Sequence, residues 1–239
     1  MSLLRSGAHI GLAAALLALC LAGPARAEMA GRLGGQYRYW NMSDGNDLRD
    51  VLAYWAARSW HVQLEYWDFV NPETDDQFRP EIGLHLHDKR NSVYSVVYRH
   101  EHTQERLWFG TDQVLSDHFV GRVLFSPIIS HDHGTLWVVS GGADYYWKSW
   151  NFASFDVIRD PRQAGLWVYP MRVRLANERN DWVQVTLAPA SQQTLGWAID
   201  LKKRWVRLGY ERNNRYDFTQ VNNDIFTVGF ELEFPRPPK

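Results

Sequence analysis

The stretch that most constrains this fold is residues 225–234, close to the end of the chain. Within it, every even-numbered residue from Phe226 to Phe234 is apolar, and the odd-numbered residues from Thr227 to Glu233 are polar or glycine. Because successive side chains of a β-strand point to opposite faces, this pattern predicts a strand with one apolar and one polar face. Such a strand either covers the core of a soluble sheet or faces lipid.

The same alternation recurs along most of the chain. From Leu33 onward, runs of about ten residues alternate between apolar and polar side chains and are separated by polar turns. We therefore predict an all-β fold, an antiparallel transmembrane β-barrel of about 12–14 strands. A soluble all-β domain has the same periodicity, so the choice between the two depends on other features of the chain.

The lengths of the connections predict which of them lie at the same end of the barrel. The connections at 88–91, 148–151 and 179–181 are short, and the one at 213–223 is long. Bacterial barrels have short turns on the periplasmic side and longer loops outside. We expect the three short connections on the side of the chain termini and the long one on the other.

The first residues have the features of a secretory signal peptide. A basic start at Arg5 is followed by an apolar run over residues 10–22 and by an Ala-x-Ala site that ends at Ala27. We predict a signal peptide at residues 1–27 and an outer-membrane barrel domain at residues 28–239. A secreted chain of this pattern favours the lipid-facing interpretation of the alternating strands.

Composition excludes some classes of function. Without the leader the chain has 24 basic and 27 acidic residues, a net charge of −3, whereas a nucleic-acid-binding protein would have a basic surplus. The only cysteine, Cys20, lies in the leader, so the mature chain has no disulfide or thiol chemistry. Leu19 argues against a lipoprotein site at that cysteine, since such a site needs a small residue there. The 12 Trp, 11 Tyr and 11 Phe residues are typical of barrels with aromatic girdles.

The terminal strand also resembles an insertion signal. Gly229, Leu232 and Phe234 match the pattern by which the insertion machinery recognises bacterial outer-membrane barrels. The tail at 235–239 departs from that pattern, which usually ends on the aromatic residue. The resemblance implies a bacterial outer-membrane location, with membrane lipid and the barrel-insertion machinery as partners.

Charged residues lie on the polar face of strand after strand, which in a barrel faces the interior. Buried charges must be paired or hydrated. They therefore predict either a salt-bridged, nearly closed interior or a narrow polar passage that favours anionic or sugar-rich solutes. Arg172 and Arg174 share this face and repel each other unless carboxylates such as Asp144, Asp200 or Glu211 lie across the interior or water fills it. The predicted lumen-lining and solute-binding residues are Arg79, Glu81, Arg99, Asp112, Arg122, Asp144, Arg172, Arg174, Asp200 and Arg207.

Two other kinds of site were weighed against this interpretation. A metal site is suggested by three His-x-His pairs, but no third ligand has a defined spacing, and we expect neither a metal nor a cofactor. A hydrolase or acyltransferase would need a nucleophile with its base, and Ser126 and Ser130 lie beside residues 131–133 without a recognisable motif. We expect no catalytic residues. The three pairs are His85 and His87, His100 and His102, and His131 and His133.

Part of the last hundred residues resembles the YaiO family of outer-membrane β-barrels. The resemblance rests on residues 141–146, 208–213 and 216–218. It implies an outer-membrane location and a link to surface-polysaccharide secretion, and it supplies no catalytic residues. The small oligosaccharide-specific porins are the rival family, similar in size and in their arginine-lined pores.

Three functions follow from these features. The first is transport or export of a polar, carbohydrate or anionic solute. The second is a lipid- or glycan-modifying enzyme on the same barrel, and the third is a structural barrel that docks an envelope partner. A channel should conduct ions after reconstitution, whereas an enzyme should alter envelope lipid or glycan.

Overall fold

The computed structural model describes residues 31–130, 134–148, 150–160, 166–191, 193–213 and 223–234. The predicted signal peptide and the tail after Phe234 lie outside these residues. Among the described residues, no helix is long and apolar enough to cross a membrane. The strands are β1 (Gly31–Met42), β2 (Leu48–Ala57), β3 (Trp60–Phe69), β4 (Gln77–His87), β5 (Val93–Glu101), β6 (Gln104–Val114), β7 (Phe119–Ser130), β8 (Gly134–Lys148), β9 (Asn151–Asp160), β10 (Leu166–Val168), β11 (Met171–Ala176), β12 (Trp182–Ala190), β13 (Gln193–Lys203), β14 (Val206–Arg212) and β15 (Asn223–Phe234).

These strands form one closed, antiparallel sheet. Consecutive strands are hydrogen-bonded from β1 to β9, β12 pairs with β13, and β15 pairs with β1. The short strands β10 and β11 both lie between β9 and β12 and together occupy one position in the sheet. The barrel therefore has fourteen strand positions, which confirms the predicted all-β barrel of 12–14 strands.

One strand differs from its prediction. The alternation from Trp167 to Leu175 predicts one continuous strand, but the structure breaks it at Tyr169 and Pro170. Proline has no backbone N–H to donate to the neighbouring strand, so one ladder hydrogen bond is missing at Pro170. Pro80 and Pro127, in contrast, are accommodated within β4 and β7. The Pro170 carbonyl still accepts a hydrogen bond from the Asp156 N–H at 2.9 Å, so β10 and β11 remain at one position.

The outer face of the barrel is apolar. Leu84 and Leu86 on β4 are 60% and 73% exposed, and Val123 on β7 and Val228 on β15 are similarly open. An exposed apolar band that continues around a closed barrel would be unstable in water, because such area is favourably buried only in lipid. The faces are those predicted from the alternation, with the apolar side chains outside.

The connections define two ends, which we call the terminal end and the distal end. The terminal end holds the start of β1, the end of β15 and the turns at 58–59, 88–92, 115–118, 149–150, 177–181 and 204–205. The distal end holds the loops at 43–47 and 70–76 and the strand ends at Arg212 and Asn223. The strand ends joined by the three short connections lie on the side of the termini, as predicted, and those joined by the long connection lie at the other end.

Aromatic side chains mark both rims of the outer face. At the distal rim, four tyrosines each donate their phenol O–H to a carboxylate at 2.5 to 2.7 Å. Near the terminal end, Trp147, Trp150 and Trp205 are exposed. Tyrosine and tryptophan favour the membrane–water interface because one part of each ring system is apolar and another is polar. The tyrosine–carboxylate pairs are Tyr39–Asp47, Tyr66–Asp76, Tyr98–Glu105 and Tyr210–Asp224.

Closure of the barrel depends on close contact between β15 and β1. A Cβ atom on Gly229 would lie 2.6 Å from the Gly35 carbonyl oxygen and 2.8 Å from Cγ of Gln36. Only glycine permits this approach of the two backbones. The role of Gly229, Leu232 and Phe234 as an insertion signal remains a prediction, but the first of them has this separate steric requirement.

We expect Gly229→Ala to lower the free energy of unfolding by about 1 to 3 kcal/mol, because the new methyl group overlaps the backbone of β1. Denaturant unfolding in detergent, followed by tryptophan fluorescence, measures the change. Gly141→Ala is the matched control, since a Cβ there meets only the Arg122 carbonyl oxygen, at 3.7 Å. Equal stability of the two variants would contradict the steric explanation.

Candidate functional site: the charged interior

The interior face of the barrel carries charged side chains that alternate with the outer apolar band. Glu65 and Asp144 are among the buried carboxylates, and Arg79 and Arg106 among the buried guanidinium groups. All ten residues that the sequence predicts for the interior lie in strands and in phase with this face. Asp112 differs from the rest because its side chain is exposed.

One side of the interior is filled by a network of ion pairs, which we call the β1–β6 network. Glu65 lies at its centre, 2.5 Å from the Arg38 guanidinium and 3.5 Å from those of Arg79 and Arg99. Arg79 is also 2.5 Å from Glu101, and Arg99 is 2.6 Å from Glu81. Four arginines meet four carboxylates, so the network is electrically balanced. Its members are Arg38, Asp50, Glu65, Arg79, Glu81, Arg99, Glu101 and Arg106.

Aromatic rings cover the arginines of this network. The Arg79 guanidinium carbon lies 3.9 Å from the centre of the Trp67 ring, and those of Arg99 and Arg106 lie 5.4 and 4.9 Å from Trp108. A cation over the face of an indole ring is attracted by the ring quadrupole, most strongly where water is excluded. Contacts with the tryptophan rings therefore add to the ion pairs in holding these arginines in place.

A pair of histidines extends the network toward the terminal end. The His61 and His85 rings are stacked with centroids 5.0 Å apart, and His61 Nδ1 lies 2.8 Å from His85 Nε2. His61 Nε2 lies 3.0 Å from Glu81, and His85 Nδ1 lies 2.8 Å from the Ser95 hydroxyl. A Cβ on Gly83 would overlap the His61 ring, so this glycine makes room for the pair.

A second group of charges lies on β7, β8, β9 and β11. Arg122 pairs with Asp144 and, at 2.7 Å, with Asp156. Arg172 pairs with the other oxygen of Asp156 at 2.5 Å. Together with the exposed Asp112, this group has three carboxylates for two arginines.

The third group, on β11 to β14, contains an arginine with a different environment. Arg174 donates two hydrogen bonds to the Gln184 side-chain oxygen, at 3.0 and 2.8 Å. Its guanidinium lies 4.4 Å from the Trp182 ring and 5.0 Å from the Phe152 ring. Among the described residues, no carboxylate lies within ion-pair distance of it. Arg174 is therefore held by a neutral amide and two aromatic rings instead of a direct ion pair.

Two other cations of this group, Arg207 and Lys202, are paired with carboxylates. Arg207 lies 5.7 Å from the Trp182 ring and pairs with Asp200 at 3.2 Å. Lys202, on the same strand as Asp200, bridges Glu231 and Glu233 at 2.7 and 2.8 Å. The carboxylates near the end of β15 are thus already paired with lysine and do not neutralise Arg174.

Water access differs between the two sides of the interior. The arginine side chains of the β1–β6 network are 5% to 20% exposed, whereas those of Arg122, Arg172 and Arg207 are 21% to 32% exposed. Arg174 lies on the same side of the interior as these three more exposed arginines.

Both arginines have partners other than the carboxylates named from the sequence. Arg172 pairs with Asp156, and Arg174 is hydrogen-bonded to Gln184. Asp156 escaped prediction because the apolar residues of β9 fall on both faces and leave its phase ambiguous. Arg38 and Asp50 were also missed, although alternation along β1 and β2 could have placed them on the interior face.

The other candidate sites find no support among the described residues. The pair His85 and His87 and the pair His100 and His102 lie at opposite ends of the β4–β5 hairpin, as expected. Within the described chain, no group of three or more His, Cys, Asp or Glu side chains is arranged to hold a metal ion. Ser126 is fully buried, and its hydroxyl has no hydrogen-bond partner among the described residues, so no base lies beside it in the described chain. Residues 131–133 lie outside the described chain.

Known structures share this fold at low sequence identity. The KdgM porin in complex with disordered oligogalacturonate matches with a TM-score of 0.52 and 8% identity, over 84% of this chain and 99% of that one. The Acinetobacter baumannii outer membrane protein Omp33 matches with a TM-score of 0.54 and 13% identity, over 87% and 99%. A triple mutant of the Rhodopseudomonas blastica porin matches with a TM-score of 0.51 and 8% identity, over 85% and 99%.

These matches identify the fold and not the solute. No protein-family model matches the sequence, and no curated protein is detectably similar to it. The resemblance to the YaiO family therefore remains a prediction. The closed sheet, the exposed apolar band and the shared porin fold together identify the protein as a transmembrane β-barrel of the bacterial outer membrane.

Proposed function

We propose that the barrel is a narrow passage for a polar, negatively charged solute across the outer membrane. The observation that carries this proposal is Arg174, an interior guanidinium with no carboxylate partner among the described residues. A fixed cation beside a water path lowers the energy of an anion in the path and raises that of a cation. The more exposed arginines, Arg122, Arg172 and Arg207, lie on the same side, each paired with an aspartate.

Acidic oligosaccharides are the solute class that best fits the interior surface around Arg174. Guanidinium groups bind carboxylates through paired hydrogen bonds. Tyr146 and Phe152, 5.5 Å apart, add aromatic surface beside Arg174. The neighbouring KdgM structure contains oligogalacturonate, a chain of sugar acids, which supports the same class for this protein. Export of a surface polysaccharide, as the YaiO resemblance implies, would use the same wall in the opposite direction.

A flux measurement tests the proposal. Liposomes that contain the folded barrel should admit an oligogalacturonate faster than a neutral oligosaccharide of the same length, and empty liposomes should admit neither. Equal flux of the two sugars would contradict the proposed charge selection. A folded barrel that admits neither sugar would favour the structural alternative, in which the barrel docks an envelope partner.

A further inference from the structure

The turns at the terminal end and two loops at the distal end differ in charge. Seven Lys and Arg side chains lie on or beside the turns at the terminal end, against four Asp and Glu residues on the same turns. The distal loops at 43–47 and 70–76 contain five Asp and Glu residues and no Lys or Arg. We call the seven cations the terminal collar: Arg58, Lys89, Arg90, Lys148, Arg179, Lys203 and Arg204.

The collar cations are available for an external partner. All seven side chains are exposed, and none forms an ion pair with a carboxylate of the described residues. Two of the four acids on these turns are occupied by backbone N–H groups. Asp88 accepts from Arg90 and Ser92 at 2.7 and 2.8 Å, and Asp181 accepts from Arg204 at 2.5 Å.

The collar adjoins the lipid-facing band. Lys203 and Arg204 directly precede the exposed Trp205, and Lys148 lies between Trp147 and Trp150. Lys89 and Arg90 lie in the turn of the β4–β5 hairpin, shortly after Leu86, which is 73% exposed on the outer face. Cations and indole rings at the same depth are typical of a membrane–water interface with anionic lipid.

We infer that the terminal collar binds the headgroups of anionic phospholipids in the leaflet at that end. The distribution of the cations favours lipid over a protein partner. They are spread over five of the six turns around the barrel instead of being concentrated on one patch. A headgroup layer surrounds the barrel and can meet all of them, whereas an acidic protein would contact a few adjacent turns.

The inference goes beyond the proposed passage, because the collar lies outside the interior and none of its residues belongs to the solute path. Each cation close to an anionic surface contributes roughly fivefold to binding. A lipid site in partial contact with one collar cation should therefore prefer phosphatidylglycerol over phosphatidylcholine by somewhat less than this, about threefold. Salt should remove the preference, since the screening length at 1 M is only about 3 Å.

The test measures lipid selectivity with spin-labelled lipids. Folded wild-type barrel in mixed phosphatidylcholine and phosphatidylglycerol vesicles should immobilise the anionic label about threefold more strongly. The preference should be lost at high salt and in the collar variant. That variant combines Arg58→Gln, Lys89→Gln, Arg90→Gln, Lys148→Gln, Arg179→Gln, Lys203→Gln and Arg204→Gln.

The controls separate the collar from general charge effects. Arg49→Gln/Arg212→Gln removes two distal cations that are already paired with Asp68 and Asp224, and it should keep the wild-type preference. The shift between heated and unheated protein in electrophoresis reports whether each variant is folded. No preference in the folded wild type, or an unchanged preference in the folded collar variant, would overturn the inference.

Discussion

Replacing Glu65 by Gln should lower the free energy of unfolding by about 3 to 5 kcal/mol. Glu65 is 2% exposed and is shared by Arg38, Arg79 and Arg99, so its loss leaves an excess positive charge in the driest part of the interior. Water cannot solvate that charge, and the remaining carboxylates are already paired. Removal of one member of a buried ion-pair network therefore costs far more than the network contributes to net stability.

Denaturant unfolding in detergent measures this loss, and Asp68→Asn is the matched control. Asp68 pairs with Arg49 at 3.2 Å on the outer surface, where both side chains are at least 40% exposed. Exposed pairs contribute at most about 1 kcal/mol, so the control should unfold close to wild type. A loss in Glu65→Gln as small as that of the control would show that the β1–β6 network is hydrated instead of dry.

Replacing Arg174 by Gln should reduce the preference for anions roughly threefold while leaving the barrel folded and close to wild-type stability. The substitution removes a charge that forms no direct ion pair with a described carboxylate, so no buried acid loses its ion-pair partner. The glutamine can still contact Gln184. Arg174 thus differs from Arg79, whose removal would leave Glu101 and Glu65 short of a partner.

The ratio of anion to cation permeability in planar bilayers measures the effect, with the unfolding midpoint recorded alongside. Arg49→Gln is the control, because Arg49 lies on the outer face and should not affect ions in the interior. An unchanged permeability ratio in Arg174→Gln, with a large loss of stability, would assign this arginine a structural role.

Much of the fold could be predicted because one physical rule recurs on nearly every strand. The alternation on β15 and β4 is strict, so the faces of Phe226, Val228 and Arg79 follow directly from sequence position. The rule fails on β9, where the apolar Phe152 and Ile158 lie on the interior face with Asp156. The sequence therefore does not show which face Asp156 lies on, and its pairing with Arg122 and Arg172 could not be predicted.

The pairing of the interior charges was harder to predict than their faces. Arg174 and Gln184 are directly opposite on neighbouring strands, so the β11–β12 hairpin register alone could have paired them. The Arg38–Glu65 contact skips a strand, since β2 lies between β1 and β3. Such a contact depends on side-chain length and on the relative stagger of three strands. Neither can be deduced from the alternation of apolar and polar residues.

The most direct test of the passage is the reversal potential of the wild-type barrel in a planar bilayer under a salt gradient. An anion-favouring passage predicts ion conductance and a reversal potential displaced toward the equilibrium potential of chloride. Displacement toward the potential of the cation, or a folded barrel without measurable conductance, would contradict the proposed function.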